Sequence, residues 1–252
     1  MKKSSAHFIF LLPLFINYSI GSQAQNLVPN PSFETFDKCP NDYNVKFRKE
    51  LISGWYMATG GTPDYFNSCT RIQVGVPQNF MGSCFAKDGK AYIGLILLLE
   101  PYADTLTKPT DYREYIEARL SEPLVKGLRY CATFYYSVAP YSTYAVNRLG
   151  AYFSEKKIGN KLSTRILDYK PQVCMDTTNI QTEKQAWFMV SDTIQAKGNE
   201  QYITIGNFYN DRKTRYTTLD VSGVSKVQQA RIAQNKLAYY YIDLVSVVKV
   251  SR

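Results

Sequence analysis

The sequence predicts an all-β protein, a β-sandwich or jelly roll, on three observations. "REYIEARL" alternates strictly, with Tyr115, Glu117 and Arg119 on one side and Ile116, Ala118 and Leu120 on the other. That is the period of a half-buried strand. Runs rich in β-branched and aromatic residues recur along the chain, bounded by Gly, Asn, Asp and Lys clusters. The strand-like pattern also continues nearly throughout, with no internal repeat, low-complexity linker or domain boundary.

Taken in order, the chain opens with Lys2 and Lys3, then an apolar run over 7–20 that is too short to span a bilayer. Small residues follow at Ser22 and Ala24, so residues 1–24 read as a signal peptide and 25–252 as one domain. "NLVPNPSFE", Asn26 to Glu34, cannot run as a helix or a central strand, because it holds Pro29 and Pro31. Strands are expected at "GWYMA", "AYIGLILLL" and "REYIEARL". "SEPLVKG" turns the chain at Pro123 and Gly127. "LRYCATFYYSVA", "RLGAYFS", "AWFMVSDTIQA", "EQYITIGNF" and "AYYYIDLVSVVKV" complete a set of roughly eight to ten strands, as a sandwich or jelly roll needs. Two regions resist this reading. Residues 101–112 form a polar loop, and 210–237 form a long basic insert before the last strand, in which "SKVQQARIAQNK" could make a short helix.

Composition narrows the chemistry. The one histidine, His7, lies in the expected leader, so the mature chain has no Ser–His or Cys–His catalysis and no histidine-ligated metal. The formal charge of +9 in an exported chain suggests anionic surfaces or acidic glycans as neighbours. No nucleic-acid module is present, and no later apolar run is long enough for a transmembrane segment. The location expected is the periplasm, the outer-membrane surface or the extracellular space. Five cysteines, an odd number, leave at least one thiol unpaired within the chain. There is no Gly-rich phosphate loop, G-x-S-x-G elbow or C-x-x-C. Glu114, Glu117 and Glu122 read as solvent-facing strand or turn acids, and Cys131 as a buried small hydrophobe.

"NLVPNPSFE", "CP" at Cys39–Pro40, "GWY", "GTPDYFNSC", "VPQNFMG", "DGKAYIGL", "YREYIEARLSEPLVKGLRY", "LGAYFS", "EQYITIGNF" and "YYYIDLV" follow one another from residue 26 to 248. In this order they resemble a family of exported β-jelly-roll modules from Bacteroidota-type envelopes, often found N-terminal to OmpA-like domains. They are also similar to galactose-binding-like carbohydrate-binding modules. The resemblance implies a non-catalytic envelope module that binds glycan. The alternatives are a structural or adhesion protein with a protein partner and, third, an enzyme acting on polysaccharide. No OmpA-like sequence follows the jelly roll, so peptidoglycan anchoring is not carried over.

The resemblance also implies sites. In related jelly rolls the first segment and the last strand share a structural calcium; the matching acids here are Glu34 and Asp243, with Asp88 as third contributor. The family's second terminal Asp is replaced by Leu244, which strand alternation places on the opposite face from Asp243. Without a cation, Glu34 would cap a turn and Asp243 would accept backbone hydrogen bonds. Cys39 and Cys69 match family cysteines, and their bridge would close a loop of about thirty residues, worth about 3–4 kcal/mol in the chain-entropy picture. Among tyrosines in loop-like sequence are Tyr56 and Tyr65. The favoured sugar platforms are Tyr141 and Tyr144 in "APYSTYA" and Tyr209 and Tyr216 in "NFYNDRKTRY", the latter beside Arg212, Lys213 and Arg215. Cations beside tyrosines suit an acidic polysaccharide.

Overall fold

A computed structural model describes residues 25–43, 51–100, 111–159, 162–222 and 236–250. The expected leader, the 101–110 loop and residues 223–235, which hold most of the expected helix, lie outside these residues. Within them the strands are β1 (Trp55–Met57), β2 (Asp64–Asn67), β3 (Gln78–Asn79), β4 (Gly82–Ser83), β5 (Ala91–Leu99), β6 (Tyr115–Arg119) and β7 (Arg129–Val138). They continue as β8 (Tyr144–Val146), β9 (Gly150–Ser154), β10 (Val173–Cys174), β11 (Phe188–Gln195), β12 (Tyr202–Gly206), β13 (Tyr216–Thr218) and β14 (Leu237–Lys249).

Two five-stranded antiparallel sheets form the body, in the orders β1-β6-β12-β9-β10 and β11-β7-β14-β5-β2. From β5 onward the long strands mostly change sheet at each step: β5 to β6, β6 to β7, β7 to β9, β10 to β11, β11 to β12 and β12 to β14. That alternation is the jelly-roll path, and it places the core between the sheets. β7 shows why the sequence takes it. Tyr130, Ala132, Phe134 and Tyr136 are buried in the core, while Cys131, Thr133 and Tyr135 face outward and are half-buried. Cys131 is thus an outward residue of an alternating strand, not a core one. Across the gap Ile116, Ala118, Ile203, Ile205 and Phe153 complete the core, each large apolar side chain contributing about 1.5–3 kcal/mol by leaving water.

The opening segment fastens the last strand. β5 pairs with β14 only from Leu237 to Ile242. Beyond that, residues 26–31 take over the vacated edge. Leu27 N–H donates to the Val247 carbonyl at 2.8 Å, and Val245 N–H to the Pro31 carbonyl at 2.9 Å. The Asn26 side chain accepts from Val247 N–H at 2.9 Å and donates to the Val245 carbonyl at 3.1 Å. Pro31 sits where the segment contributes a carbonyl, so its missing N–H leaves no gap in the ladder. Leu27, Val28 and Phe33 are buried, and Trp55 Nε1 donates to the Asn30 carbonyl at 3.0 Å. Strict alternation fails just here: Leu244 is left-handed at φ 49°, in a register shift between Asp243 and Ser246.

Cys39 and Cys69 form the expected disulfide. Cys84, Cys131 and Cys174 are free. Among the described residues no helix is long and apolar enough to cross a membrane.

Candidate functional site

Of the tyrosines expected as sugar platforms, Tyr144 and Tyr216 meet. β13 pairs with β8 as a two-stranded ribbon, Tyr216 opposite Val146 and Thr218 opposite Tyr144. The rings of Tyr144 and Tyr216 lie 4.5 Å apart, tilted by 47°. Tyr144 is buried and donates to the Glu100 carboxylate, and burial followed by that carboxylate holds its phenol well above the usual range. Tyr216 is half exposed. Before the ribbon, Asn210 caps a 3₁₀ turn over Asp211–Lys213, its side chain accepting from Lys213 N–H at 3.0 Å.

That turn is rooted in the interior. Arg113 is fully buried and pairs with Asp211 at 2.8 Å, while donating to the Tyr209 carbonyl at 2.9 Å and the Tyr112 carbonyl at 2.7 Å. Asp111 and Asp211 each accept from the other's backbone N–H, at 2.8 and 3.2 Å. The cations then differ in freedom. Arg212 and Lys213 are exposed. Arg215 is anchored through Nη2 to the Thr177 carbonyl at 2.6 Å, and the guanidinium of Arg148 covers the Tyr209 ring at 4.3 Å. Arg148 had no part in the sequence expectation. Tyr141 stands apart: it packs half-buried against the cluster of Phe66, Met81 and Tyr239.

The three acids proposed for calcium converge on residues 87–90. Asp243 is buried, with Oδ2 accepting from Lys87 N–H at 2.8 Å and Asp88 N–H at 3.0 Å, and Oδ1 from Leu244 N–H at 2.7 Å. Glu34 accepts from Lys90 N–H at 2.7 Å, and Asp88 from the Ser32 hydroxyl at 2.8 Å. Gly89 is left-handed at φ +64°, which favours glycine, and a Cβ there would push the Glu34 carboxyl off its hydrogen bond to Lys90 N–H. An all-carboxylate donor set suits a hard cation. The N–H groups, however, engage both oxygens of Asp243, leaving Glu34 and Asp88 as the exposed acids. Among the described residues no group of three or more metal-ligating side chains stands close enough to hold an ion.

Glu114 and Glu117 are not solvent-facing. Both are buried. Glu114 accepts from Ile96 N–H at 2.8 Å, Tyr112 Oη at 2.8 Å and Thr62 N–H at 3.2 Å, and burial with Asp64 nearby pushes its carboxyl up. Tyr65, expected in a loop, is a buried residue of β2.

Glu117 lies on the outer face of the β1-β6-β12-β9-β10 sheet, in register with Tyr56 and Thr204, while Thr204 in turn faces Tyr152. The segment after β9 folds over this row. Glu117 Oε1 accepts from Ile158 N–H at 2.7 Å and from the Thr204 hydroxyl at 3.3 Å, and Oε2 has no partner. Burial pushes this carboxyl up to about 7, against the pull of Ile158 N–H and Lys157. Beside it is a pocket of about 510 Å³ whose lining includes Tyr152, Ser154, Glu155, Lys156, Leu167 and Tyr169. The rings of Tyr152 and Tyr169 stack 4.6 Å apart and 11° from parallel. Alternation in "LGAYFS" turns Tyr152 outward, but no local signal brings Tyr169 back onto it.

No known protein family matches the chain, and no curated protein does. Solved structures resemble it loosely. The CBM22-1 xylan-binding domain of Paenibacillus barcinonensis Xyn10C is 11% identical with TM-score 0.38, covering 88% of this chain and 93% of that one. The K1 cleaved adhesin domain of Porphyromonas gingivalis Lys-gingipain is 11% identical with TM-score 0.35, covering 79% and 92%. The CBM22-1–GH10 modules of Clostridium thermocellum xylanase 10B, complexed with xylohexaose, are 9% identical with TM-score 0.33; the match takes 66% of this chain but only 23% of that one. The sandwich is therefore read from the chain's own strands and registers.

Proposed function

We propose that the chain is an exported, non-catalytic binding module that takes an acidic glycan at the cationic end of the sandwich. The observation that supports this most is the half-exposed Tyr216 ring, backed at 4.5 Å by Tyr144, with Arg212, Lys213 and Arg215 on the same segment. A tyrosine ring meets the apolar face of a pyranose, and guanidinium or ammonium groups meet its carboxylate or sulfate. Arg215 is held by backbone carbonyls through one nitrogen, so the rest of its donor fork is pre-aligned. The disulfide suits an oxidising, exported location. Two of the buried acids, Glu114 and Asp243, spend their oxygens on backbone and tyrosine donors inside the fold, which fits a non-catalytic reading of those two. Titration with polygalacturonate tests the proposal. Arg212→Ala combined with Lys213→Ala should weaken binding about tenfold; unchanged affinity would overturn it.

Calcium at the 87–90 closure is proposed alongside, with Glu34 and Asp88 as its carboxylates and Asp243 holding the loop. Elemental analysis should then find the metal, and chelation should lower Tm by about 2–4 °C. A metal-free protein with an unchanged Tm would leave the hydrogen bonds as the whole fastening.

The second reading, an adhesion protein with a protein partner, has one observation of its own. On the outer face of the other sheet Phe85 and Met189 are exposed, Met189 is in register with Tyr135, and Trp187 Nε1 donates to the Phe85 carbonyl at 2.9 Å. A contiguous apolar patch built from such groups would suit a protein partner.

A further inference from the structure

The pocket on the outer face of the five-stranded sheet shares no residue with the cationic end, and its chemistry differs. Its volume of about 510 Å³ falls in the range of small-ligand sites, about 300–1,000 Å³. Ile158 and Leu167, both buried, give it an apolar floor, while Tyr169 is 43% exposed and presents the ring face that Tyr152 does not cover. Ser154, Glu155 and Lys156 supply a hydroxyl, an acceptor and a donor at the rim. The charges oppose one another: Glu155 precedes Lys156, and Lys157 is drawn onto the Tyr56 ring, 3.5 Å from its centroid. The turn that carries these groups is pinned from below by Glu117 through Ile158 N–H, so the site is held in shape before a ligand arrives.

We propose that this pocket is a saccharide site in its own right, taking one uncharged pyranose unit with its apolar face on Tyr169. The stacked pair supplies a flat, backed platform. The rim, which also includes Lys157 turned onto the Tyr56 ring, supplies donors and acceptors for ring hydroxyls and sets an acid among its lysines. An acidic unit would set its carboxylate against Glu155, whereas a neutral one meets acid and lysine alike through hydroxyls.

The test uses the whole mature protein and the methyl glycosides of glucose, galactose, mannose, xylose and N-acetylglucosamine, observed by saturation-transfer NMR. At least one should bind, equally at about 50 mM and about 500 mM NaCl because the ligand itself is uncharged. Tyr169→Ala removes the platform ring and should weaken that binding about tenfold while the fold is retained with at most a small fall in Tm from the lost stack; Tyr216→Ala should leave it alone. Absence of binding by all five, binding that survives Tyr169→Ala, or binding lost in Tyr216→Ala would each overturn the proposal. None of these outcomes decides the acidic-glycan reading, which depends on polygalacturonate and on Arg212 and Lys213.

Discussion

At the end of the sandwich Arg148, Arg212, Lys213 and Arg215 stand with Tyr209 and Tyr216, whereas on the outer sheet face Glu155 sits beside Lys156 above a floor of Ile158 and Leu167. Both regions offer tyrosine rings. At the end of the sandwich Arg212, Lys213 and Arg215 are exposed while Asp211 and Glu100 are engaged by Arg113 and Tyr144, whereas the pocket rim mixes an exposed acid with lysines, so the two should answer differently to salt and to ligand charge. They also differ in how they are held. The cationic end hangs on one buried ion pair, Arg113–Asp211, and the pocket on one buried carboxylate, Glu117.

The strongest way to break the comparison is at Arg113. Arg113→Ala leaves Asp211 partly buried without its cation and removes the guanidinium hydrogen bonds to the Tyr209 and Tyr112 carbonyls. Urea unfolding should show a loss of about 3–5 kcal/mol, and polygalacturonate binding should fall while methyl glycoside binding in surviving folded protein persists. Asp243→Ala comes next. It strips acceptors from three backbone N–H groups and should cost about 2–4 kcal/mol with or without a chelator. A full rescue of that variant's stability by added calcium would assign the loss to the cation instead.

A smaller effect separates the regions by pH. Burial raises the Glu117 carboxyl from 4.5 to about 7, so the folded chain binds a proton that the unfolded chain has released. The resulting stability is complete below pH about 4.5 and is lost as pH rises through about 7. Glu114 is shifted in the same direction by burial and by Asp64. Burial raises Asp243 likewise, so Tm should be higher at pH about 5 than at about 8, by at least about 2–4 °C, and Glu117→Gln should remove part of that slope. A slope that survives Glu117→Gln in full would place the proton elsewhere.

The sandwich was legible in the sequence because alternation survives folding: Tyr115, Glu117 and Arg119 do share one face, and Ile116 and Ala118 do line the core. Alternation tells which side chains share a face but not what later covers it. Glu117 was misread for that reason, since Ile158 closes over it from the segment after β9. Tyr65 was misread because β2 is only four residues long and bordered by turn-forming sequence. The cationic end was partly visible, because Tyr209 to Tyr216 are contiguous, while Arg148 reaches it from a separate stretch of chain. The pocket was not visible at all. Tyr152 and Tyr169 lie on separate segments, and only the path of the chain after β9 stacks them.

The central claim, that the cationic end holds an acidic glycan, is tested most directly by polygalacturonate affinity measured across ionic strength in the native chain and in the Arg212→Ala/Lys213→Ala variant. The account predicts saturable binding at about 50 mM NaCl, a fall of at least about tenfold by about 500 mM, and a shallower salt dependence in the variant. Affinity indifferent to salt, or identical salt dependence in the two proteins, would contradict it.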